Sequence, residues 1–474
     1  MKNLPQLPGP RFLQQIQWIL DPIGYLEKAQ SQFPDIFKAG ALGFGPSTDN
    51  VAGDVVLTSN PQAIQQILTS DRKQFSVPGE LNWILKPFLG DASVIMLSGD
   101  RHRKRRQLLM PSFHGDRLKT YGDLIIQITH QAFQQRYQGE SFLARSVTQQ
   151  ISLEVIFQTV FGFREADQDF NQIKTLLAEM ADLFNSPIVA SFLFFKNLQK
   201  DWGPWSPWGK FIRQRQKLDT LLYEAIAQRR ANPDPTRTDI LTMLIEARDE
   251  AGETMSDQEL RDELMTLLFA GHETTATAMA WALYWLHFKP EIKEKLLVEL
   301  DSLGENPDWM NLVRLPYLNA VCNETLRIYP VAMLTFPRQV EEEIEILGYP
   351  LKPGTVIMGA MYLTHQREDL YPNHTEFNPD RFLDRQFSPY EFIPFGGGSR
   401  RCIGEALAQF EMKLVIATIM SHYQLALGDT QPEKPQRRGV TLAPKHGVKM
   451  VMQGQRKVPS SSAEDAPIAV GTVR

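Results

Sequence analysis

The chain has 474 residues, a formal net charge of −5 and 43% hydrophobic residues. This length suffices for two or three average domains or one large domain, and the lack of a basic excess argues against nucleic acid as a partner. The two cysteines, Cys322 and Cys402, form no CxxC pair, so neither a disulfide framework nor a cysteine zinc site is expected. A reducing cytoplasm is the expected compartment.

The sequence predicts no transmembrane anchor. No stretch approaches the roughly 18 consecutive apolar residues that a spanning helix needs, and residues 1–10 resemble neither a signal peptide nor an anchor. Peripheral membrane contact stays open, because the stretch 184–208 is the most aromatic in the chain. It could form a lid over an apolar site, rest on a membrane surface or pack against the core.

The N-terminal part predicts a small sheet and a pocket wall. Residues 53–58 are strand-like, and 61–70 predict a short helix that begins after Asn60. The loop 75–97 is rich in bulky apolar residues. Such a loop is unusual on a surface, so it favours one wall of a pocket, with plain core packing as the alternative.

A basic run follows at residues 99–106. If it begins a helix, His102 and Arg106 share a face and are predicted to reach inward to an anion. The remaining cations of the run would then present positive charge to an acidic partner. The alternatives are a solvated face or a nucleic-acid patch.

A long central helix is predicted from a capping box at Ser256–Glu259 to about residue 288, roughly 48 Å at 1.5 Å per residue. In its middle, Gly271 weakens the helix, and the hydroxyl of Thr274 or Thr275 can bond back to a carbonyl. An acid, Glu273, beside an alcohol at this weak point suggests proton delivery. The alternative is an ordinary Glu-Thr pair on a helix. Other helical patterns cover 116–137, 146–162 and 167–185.

The C-terminal half contains an ion pair and further short strands. Glu324 and Arg327 lie three apart on a helix that ends before Pro330, and the rigid turn 377–382 could bring Arg381 back to Glu324. Strands are predicted at 331–335, 345–347, 356–358, 440–443 and 447–452.

The stretch 395–404, Phe-Gly-Gly-Gly-Ser-Arg-Arg-Cys-Ile-Gly, places one cysteine before an amphipathic segment at 403–423. A helix N-terminus favours a thiolate over a thiol, and glycines let the backbone approach a large flat group. Arg400 offers a fixed fork of donors to a carboxylate. A thiolate, open space and a cation for an acidic substituent together predict a haem site at Cys402.

Four separated motifs resemble those of the cytochrome P-450 family of haem-thiolate monooxygenases, and the resemblance covers about residues 5–452. Ala270–Thr275 is similar to the family's oxygen-activation motif, Glu324–Arg327 to its E-x-x-R signature and Pro379–Phe382 to its meander turn. Residues 395–404 fit the cysteine-ligand pattern F-x-x-G-x-R-x-C-x-G at every fixed position.

The resemblance implies a mainly α, single-domain fold with small β-sheets over residues 1–452. In this fold, a triangular prism, the haem lies between the long central helix and the helix after the cysteine loop. Residues 453–474 are expected to form a disordered tail.

The resemblance also implies haem b as the cofactor, with Cys402 as the axial thiolate ligand of the iron. The other expected haem-contacting residues are His102, Arg106, Ala270, Gly271, Arg338, Phe395, Gly398, Arg400 and Gly404. Thr274 would orient oxygen and its waters, and Glu273 would supply protons from the distal side.

Three further residues are implied to be structural and not catalytic: Glu324, Arg327 and Arg381 would lock the scaffold on the cysteine side. Cys322 fits no ligand position of the family and is expected to be a buried core thiol.

The implied reaction inserts one atom of O2 into a C–H or C=C bond of a lipophilic substrate. Electrons are expected from a separate donor, a ferredoxin with its reductase, since no flavin or iron–sulfur domain follows the cysteine loop. An outward docking surface for the acidic ferredoxin is predicted at Arg101, Arg103, Lys104, Arg105 and Arg401.

The predicted substrate pocket is almost wholly apolar, which favours a fatty acid, an alkane or a terpenoid. Its predicted residues are Trp83, Ile84, Phe88, Leu267, Phe269, Ala270, Val331, Ala332, Met333, Leu334, Val440 and Thr441. Two alternatives stay open: a peroxide-using or isomerase-like haem-thiolate enzyme, and a non-enzymatic haem sensor or carrier. Neither would need the pair Glu273 and Thr274.

Overall fold

The structure, a computed structural model, describes residues 3–42, 54–70, 73–162, 168–183, 199–304 and 307–456. Its α-helices are α1 (Arg11–Leu20), α2 (Pro22–Gln32), α3 (Pro61–Thr69), α4 (Lys86–Leu89), α5 (Gly99–Leu109), α6 (Asp116–Lys119), α7 (Gly122–Gln134), α8 (Ala144–Phe161), α9 (Gln168–Leu183), α10 (Pro207–Ala231), α11 (Ile240–Glu246), α12 (Asp257–Phe288), α13 (Pro290–Asp301), α14 (Trp309–Leu312), α15 (Pro316–Ile328), α16 (Met361–His365), α17 (Arg381–Asp384) and α18 (Glu405–His422). Short 3₁₀ turns cover Gly79–Leu85, Met110–Phe113 and Gly398–Arg400.

The strands form small, separate sheets. They are β1 (Ile36–Lys38), β2 (Val55–Thr58), β3 (Phe75–Ser76), β4 (Ser141–Leu143), β5 (Arg338–Val340), β6 (Ile344–Ile346), β7 (Tyr349–Leu351), β8 (Val356–Gly359), β9 (Tyr423–Leu427), β10 (Pro435–Arg438), β11 (Thr441–Pro444) and β12 (Lys449–Gln455). The largest sheet has the order β1-β2-β8-β5-β3, in which only β2 and β8 run parallel. The others are β4-β12-β9 and the hairpins β6-β7 and β10-β11.

The central helix α12 begins with the predicted capping box. The Ser256 hydroxyl accepts from the Glu259 N–H at 3.3 Å, and the Glu259 carboxylate accepts from the Ser256 N–H at 2.9 Å. From there α12 runs as one continuous helix and packs against α8, α10, α15 and α18. This helix and its neighbours form the largest hydrophobic core cluster, while the β1–β2–β8 region forms separate clusters with α2 and α3. The predicted mainly α, single-domain architecture is confirmed.

Two strand predictions differ from the structure. Residues 331–335 form no strand and connect α15 to β5. They make hydrogen bonds to neighbouring segments: Val331 O accepts from Leu442 N–H, and Thr335 N–H donates to Gly359 O. At the C-terminal end, β12 runs to Gln455, beyond the predicted end at 452. The last 18 residues of the predicted tail lie outside the described residues.

The predicted aromatic stretch divides into an exposed and a buried part. Trp202 and Trp205 are exposed, whereas Trp208 is buried in α10 against Phe211. Residues 184–198 lie outside the described residues. Among the helices that the structure describes, none is both long enough and apolar enough to cross a bilayer.

Candidate active site

The cysteine loop is held by its own backbone. Gly396 and Gly398 adopt φ values of +66° and +64°, a region that only glycine enters at low cost. This conformation lets the Cys402 N–H donate to Phe395 O at 3.0 Å. Gly404 is the N-cap residue of α18, and a Cβ there would meet no atom within 4 Å. The loop therefore presents Cys402 next to an uncrowded backbone surface.

Cys402 lies in a cleft, with its surface accessible and protein on most sides. Burial in this cleft raises the pKa of the thiol to about 11, although the Gly404 amide and the nearby guanidinium groups of Arg106 and Arg401 lower it. Desolvation in the cleft thus opposes the thiolate form that the amide and the cations favour. Coordination to a metal deprotonates a thiol outright and would supply what the protein surroundings do not.

His102 and Arg106 share one face of α5, as predicted, and both line a cavity of about 350 Å³. The cavity is completed by Arg103, Gln107, Met110, Pro111 and Ser399. Arg106 donates to Arg401 O at 2.6 Å, and its pKa is lowered by burial and raised by the nearby Cys402. A cavity with cationic and imidazole walls beside the cysteine loop suits an acidic substituent of a bound group.

Arg400 and Arg338 bind backbone carbonyl groups. Arg400 donates to Val94 O and Val77 O, both at 2.9 Å, and to Leu97 O at 2.5 Å. Arg338 donates to Phe336 O at 2.7 Å and to Gly397 O at 2.9 Å. These contacts tie the loop 77–97 and strand β5 to the cysteine loop. They give both arginines a structural function that the sequence did not predict, and they leave the expected propionate contacts as a prediction.

The predicted outward cluster is wrong at Arg105. This side chain is buried and donates to Ala92 O and to Glu263 Oε1, both at 2.8 Å, and it also contacts Glu259. The reason is helix geometry, since Arg105 follows His102 by three positions and turns inward with it. The cations Arg101 and Arg103 are exposed, and Lys104 and Arg401 are partly so.

On α12, Ala270 is exposed and Thr274 partly accessible within a helix that is otherwise largely buried. The Thr274 hydroxyl donates to Ala270 O at 2.6 Å, which is the predicted back-bond. Its oxygen lone pairs remain able to accept a hydrogen bond from a water or a ligand. Phe269 directly precedes Ala270, Leu267 lies three residues before it, and both are partly buried.

Glu273 points to α8 and not along the Thr274 face. Its carboxylate forms an ion pair with Arg145 and accepts from Gln149 Nε2 at 2.5 Å. Sequence patterns did not indicate either partner, because both lie about 125 residues away along the chain. The acid of the predicted pair is thus held by two donors on the neighbouring helix.

Gly271 permits the close approach of α12 to α8. A Cβ at this position would lie 2.5 Å from Ile156 Cδ1. The helix remains continuous here, so the glycine acts through packing against Ile156 and not by breaking the helical hydrogen bonds. The contact with haem that is expected for Gly271 stays a prediction.

The predicted pocket residues separate into groups. Phe88 packs against Phe269 and Phe211 with tilted rings whose centroids are 5.1 and 4.9 Å away, and Val331 joins the same core, adjacent to Leu442. The residues Trp83, Ile84, Ala332 and Leu334 are partly buried. Three others have different surroundings: Met333 packs in the N-terminal cluster, Thr441 is buried with its hydroxyl on Arg438 O, and Val440 is exposed at a hairpin turn.

Glu324, Arg327 and Arg381 form one ion-pair network. Arg327 contacts both oxygens of Glu324 at 2.7 and 2.8 Å, and Arg381 Nε donates to the same carboxylate at 3.2 Å. All three side chains are buried. Cys322 is buried too, and burial raises its pKa to about 12, as expected for a core thiol.

A residue that the sequence did not suggest connects this network to the cysteine loop. Arg327 donates to His365 O at 2.9 Å, and the His365 ring accepts from the Ile393 N–H at 3.0 Å. Ile393 lies two residues before the start of the loop at Phe395. The only available signal was a histidine near the end of a short helix, which indicates no partner by itself.

The residues fit haem b. One thiol lies at an uncrowded glycine-rich loop, and a cationic cavity lies beside it. An accessible small residue and a hydroxyl occur together on the central helix, which packs against the helix that follows the cysteine. Among the described residues, no group of three or more histidine, cysteine or acidic side chains could hold a metal ion.

Comparison with known proteins agrees with this geometry. The cytochrome P450 family model matches residues 51–450. Cytochrome P450 135B1 of Mycobacterium tuberculosis is 34% identical over 464 residues, which are 97% of this chain and 94% of the relative. Cytochrome P450 138 of Mycobacterium bovis is 30% identical over 455 residues, 95% of this chain and 96% of that protein.

Solved structures show the same fold. The retinoic acid-bound cyanobacterial CYP120A1 superposes with a TM-score of 0.80 at 25% identity, covering 95% of this chain and 98% of that one. The cytochrome P450DA heme domain superposes with a TM-score of 0.82 at 21% identity, covering 96% and 98%. The chain belongs to the cytochrome P450 family, whose members bind haem b through a cysteine thiolate and are, in general, monooxygenases.

Proposed function

We propose that this protein inserts one oxygen atom of O2 into a lipophilic substrate, a fatty acid, an alkane or a terpenoid, with electrons from a separate ferredoxin. Haem b, bound through Cys402, supplies the redox-active iron on which O2 is activated. The observation that carries the proposal is the accessible Thr274 hydroxyl beside Ala270 on the otherwise buried central helix. A haem carrier or sensor would not need this hydroxyl next to an acid.

The chain's own groups divide the proton chemistry between two positions. Thr274 donates to Ala270 O, so its oxygen accepts a hydrogen bond from water and holds that water at the centre of α12. Glu273 holds its carboxylate against Arg145 and Gln149, outside this position. Proton delivery therefore requires Glu273 to leave these donors or to act through intervening water.

The lipophilic substrate class is supported by the aromatic wall. Phe88 lies in ring contact with both Phe269 and Phe211, and Leu267 and Val331 pack against the same core. The relative CYP120A1 is described with retinoic acid bound, a lipophilic isoprenoid acid. A long-chain acid or an isoprenoid therefore comes first in a search for the substrate.

The electron donor is proposed to bind at the exposed part of α5. Arg101 and Arg103 are exposed, and Lys104 is partly exposed. Arg401 of the cysteine loop adds a further half-exposed positive charge, although it pairs with Glu405. Positive charge on this surface would attract an acidic ferredoxin and accelerate association at low salt. Arg105 has no part in this surface.

The reaction is tested with Thr274→Ala and Glu273→Gln in the haem-loaded enzyme, using a spectral-shift screen to choose the lipid. Thr274→Ala is expected to divert electrons from product to peroxide or water, and Glu273→Gln to slow turnover. Thr275→Ala, a neighbouring hydroxyl buried in the protein, is the matched control. Unchanged product yield per electron in Thr274→Ala would contradict the proposed role.

The same assay separates the alternative functions. If product forms with peroxide and without an electron donor, the protein is a peroxide-using enzyme. If the substrate is rearranged without consumption of O2, the protein is an isomerase-like enzyme. Haem binding without turnover of any lipid would indicate a sensor or carrier.

The docking surface is tested with Arg101→Glu/Lys104→Glu, since neither residue lines the cavity beside the cysteine loop. Slower reduction by ferredoxin and a weaker dependence of its rate on salt are expected, since the steering charge is reversed. Lys352→Glu/Lys445→Glu, which changes the net charge equally at two other exposed positions, is the control. Equal rates in both double variants would place the donor elsewhere.

A further inference from the structure

Helix α1 packs against the protein through a side that includes a buried glutamine. Gln14 is only 8% exposed and donates to Leu7 O at 3.1 Å and Gly9 O at 3.3 Å, while its carbonyl oxygen accepts from the Tyr25 hydroxyl at 3.3 Å. Trp18, one turn further, is the other buried side chain of this helix. A glutamine thus occupies a position that a surface helix of a globular protein normally gives to an apolar residue.

The outward side of α1 is apolar. Phe12, Leu13, Ile16 and Leu20 are 59%, 52%, 48% and 72% exposed. At 3.6 residues per turn these four side chains lie within an arc of about 100°, so they form one continuous stripe. The helix contains no acidic residue, and its only charged residue is Arg11 at its start. Contiguous exposed apolar surface of this kind marks an interaction site.

The size of the stripe argues against a second copy of the chain. A ten-residue helix is only about 15 Å long, so its apolar face offers far less than the roughly 800 Å² per partner that a stable dimer buries. A lipid surface has no such minimum, because an amphipathic helix can lie in the interface with its apolar side among the acyl chains.

The charges around α1 also suit a lipid surface. Arg11 is exposed and lies 3.9 Å from Asp54, which pairs more closely with Lys38 at 2.5 Å. The Arg437 guanidinium is partly buried and donates to Ile19 O at 2.9 Å, and Asp21 caps the start of α2. An exposed cation at the start of an apolar stripe matches the phosphate groups of lipid head groups.

We propose that α1 is an interfacial helix that binds the protein reversibly to the surface of a lipid bilayer. Phe12, Ile16 and Leu20 enter the acyl boundary, and Arg11 contacts the phosphate layer. This contact is separate from the reaction and does not depend on the identity of the substrate. Because only four apolar side chains take part, the binding is weak and reversible.

The test is flotation of the haem-loaded protein with vesicles of phosphatidylcholine containing phosphatidylglycerol. The wild type is expected to float, and Phe12→Gln/Ile16→Gln/Leu20→Gln to lower the bound fraction by about tenfold or more, since membrane affinity scales with the apolar area inserted. Val298→Gln, on α13 and 67% exposed, is the matched control and should bind like the wild type. The Soret band of the ferrous–CO complex shows that each variant retains its haem site.

Three results would overturn the proposal. The first is a triple variant that floats like the wild type. The second is a wild type that does not float but is dimeric by light scattering, with a monomeric triple variant, which would place a second copy on the stripe. The third is a wild type that does not float, whereas a chain ending at residue 456 does, which would mean that the C-terminal segment covers α1.

Discussion

Arg105 Nη1 in α5 lies 2.8 Å from Glu263 Oε1 in the central helix, and both side chains are buried. The same guanidinium contacts Glu259 and donates to Ala92 O. Burial raises the pKa of Glu263 to about 7, and the charge of Arg105 opposes this rise. The basic helix α5 is thus joined to α12 through Arg105, while Arg101 and Arg103 are exposed to solvent.

Arg105→Ala is expected to lower the free energy of unfolding by about 3–5 kcal/mol, because it leaves Glu263 buried without its partner. Arg103→Ala, two positions earlier and exposed, should change it by less than about 0.5 kcal/mol. Urea unfolding of the holoprotein measures both. Equal effects of the two variants would contradict the buried pair, and Arg105→Met combined with Glu263→Gln should restore part of the loss.

Glu411 of α18 is buried beside Ser152 of α8, and burial raises its pKa to about 8. The folded protein therefore keeps this proton up to about pH 8, whereas the unfolded chain loses it near pH 4.5. The native state binds more protons in this window, so the contribution of Glu411 to stability falls as pH rises from about 4.5 to about 8.

Glu411→Gln should remove this fall. The stability of the variant relative to wild type is expected to increase between pH 5 and pH 8, measured as the free energy of unfolding at several pH values. Glu294→Gln on the exposed side of α13 is the control and should follow the wild type at every pH. A difference curve that is flat with pH would mean that Glu411 is charged in the folded protein.

Gly271→Ala is expected to destabilise the protein, since its Cβ would meet Ile156 Cδ1 at 2.5 Å. Ile156→Val removes that methyl group and leaves only the contact with the γ1 carbon at 3.0 Å, so the same alanine should cost less in this background. The double-mutant cycle of the two substitutions measures this difference. Additive effects would show that Gly271 is not required by packing against α8.

His365 is expected to position the cysteine loop through its neutral ring. Since Nε2 accepts from the Ile393 N–H, the ring proton lies on Nδ1. Burial, and to a smaller extent the charge of the nearby Arg327, lowers the pKa of His365 to about 3. His365→Leu should cost about 1–3 kcal/mol by leaving a buried N–H unpaired. It should also reduce the fraction of ferrous–CO complex with the thiolate-type Soret band, whereas His365→Gln, which can still accept, should keep most of it.

The pH dependence of His365 has the opposite sign to that of Glu411. Its stabilising contribution is complete above the unfolded pKa near 6.5 and is lost as pH falls toward about 3, because the unfolded chain takes up a proton that the folded ring refuses. His365→Gln should therefore lose less stability than wild type between pH 6.5 and pH 4. Parallel curves would contradict a neutral buried ring.

The sequence by itself determined the features that depend on local spacing. The capping box, the length of α12, the back-bond of Thr274 and the trio Glu324, Arg327 and Arg381 all match their predictions. The capping box and the back-bond each depend on residues a few positions apart. The trio depends on a turn motif that brings Arg381 back to Glu324. The same holds for the cysteine loop, whose glycines specify its backbone conformation.

Only the tertiary structure decided which side of each helix is covered and by what. Periodicity placed His102 and Arg106 on one face of α5, but the buried acid that turns Arg105 inward lies 158 residues away. The carbonyl partners of Arg400, the α8 partners of Glu273 and the inward position of Gln14 have the same origin. The raised pKa of Cys402 also depends on the tertiary structure, because desolvation comes from every wall of the cleft. The sequence shows only the helix that begins beside the cysteine.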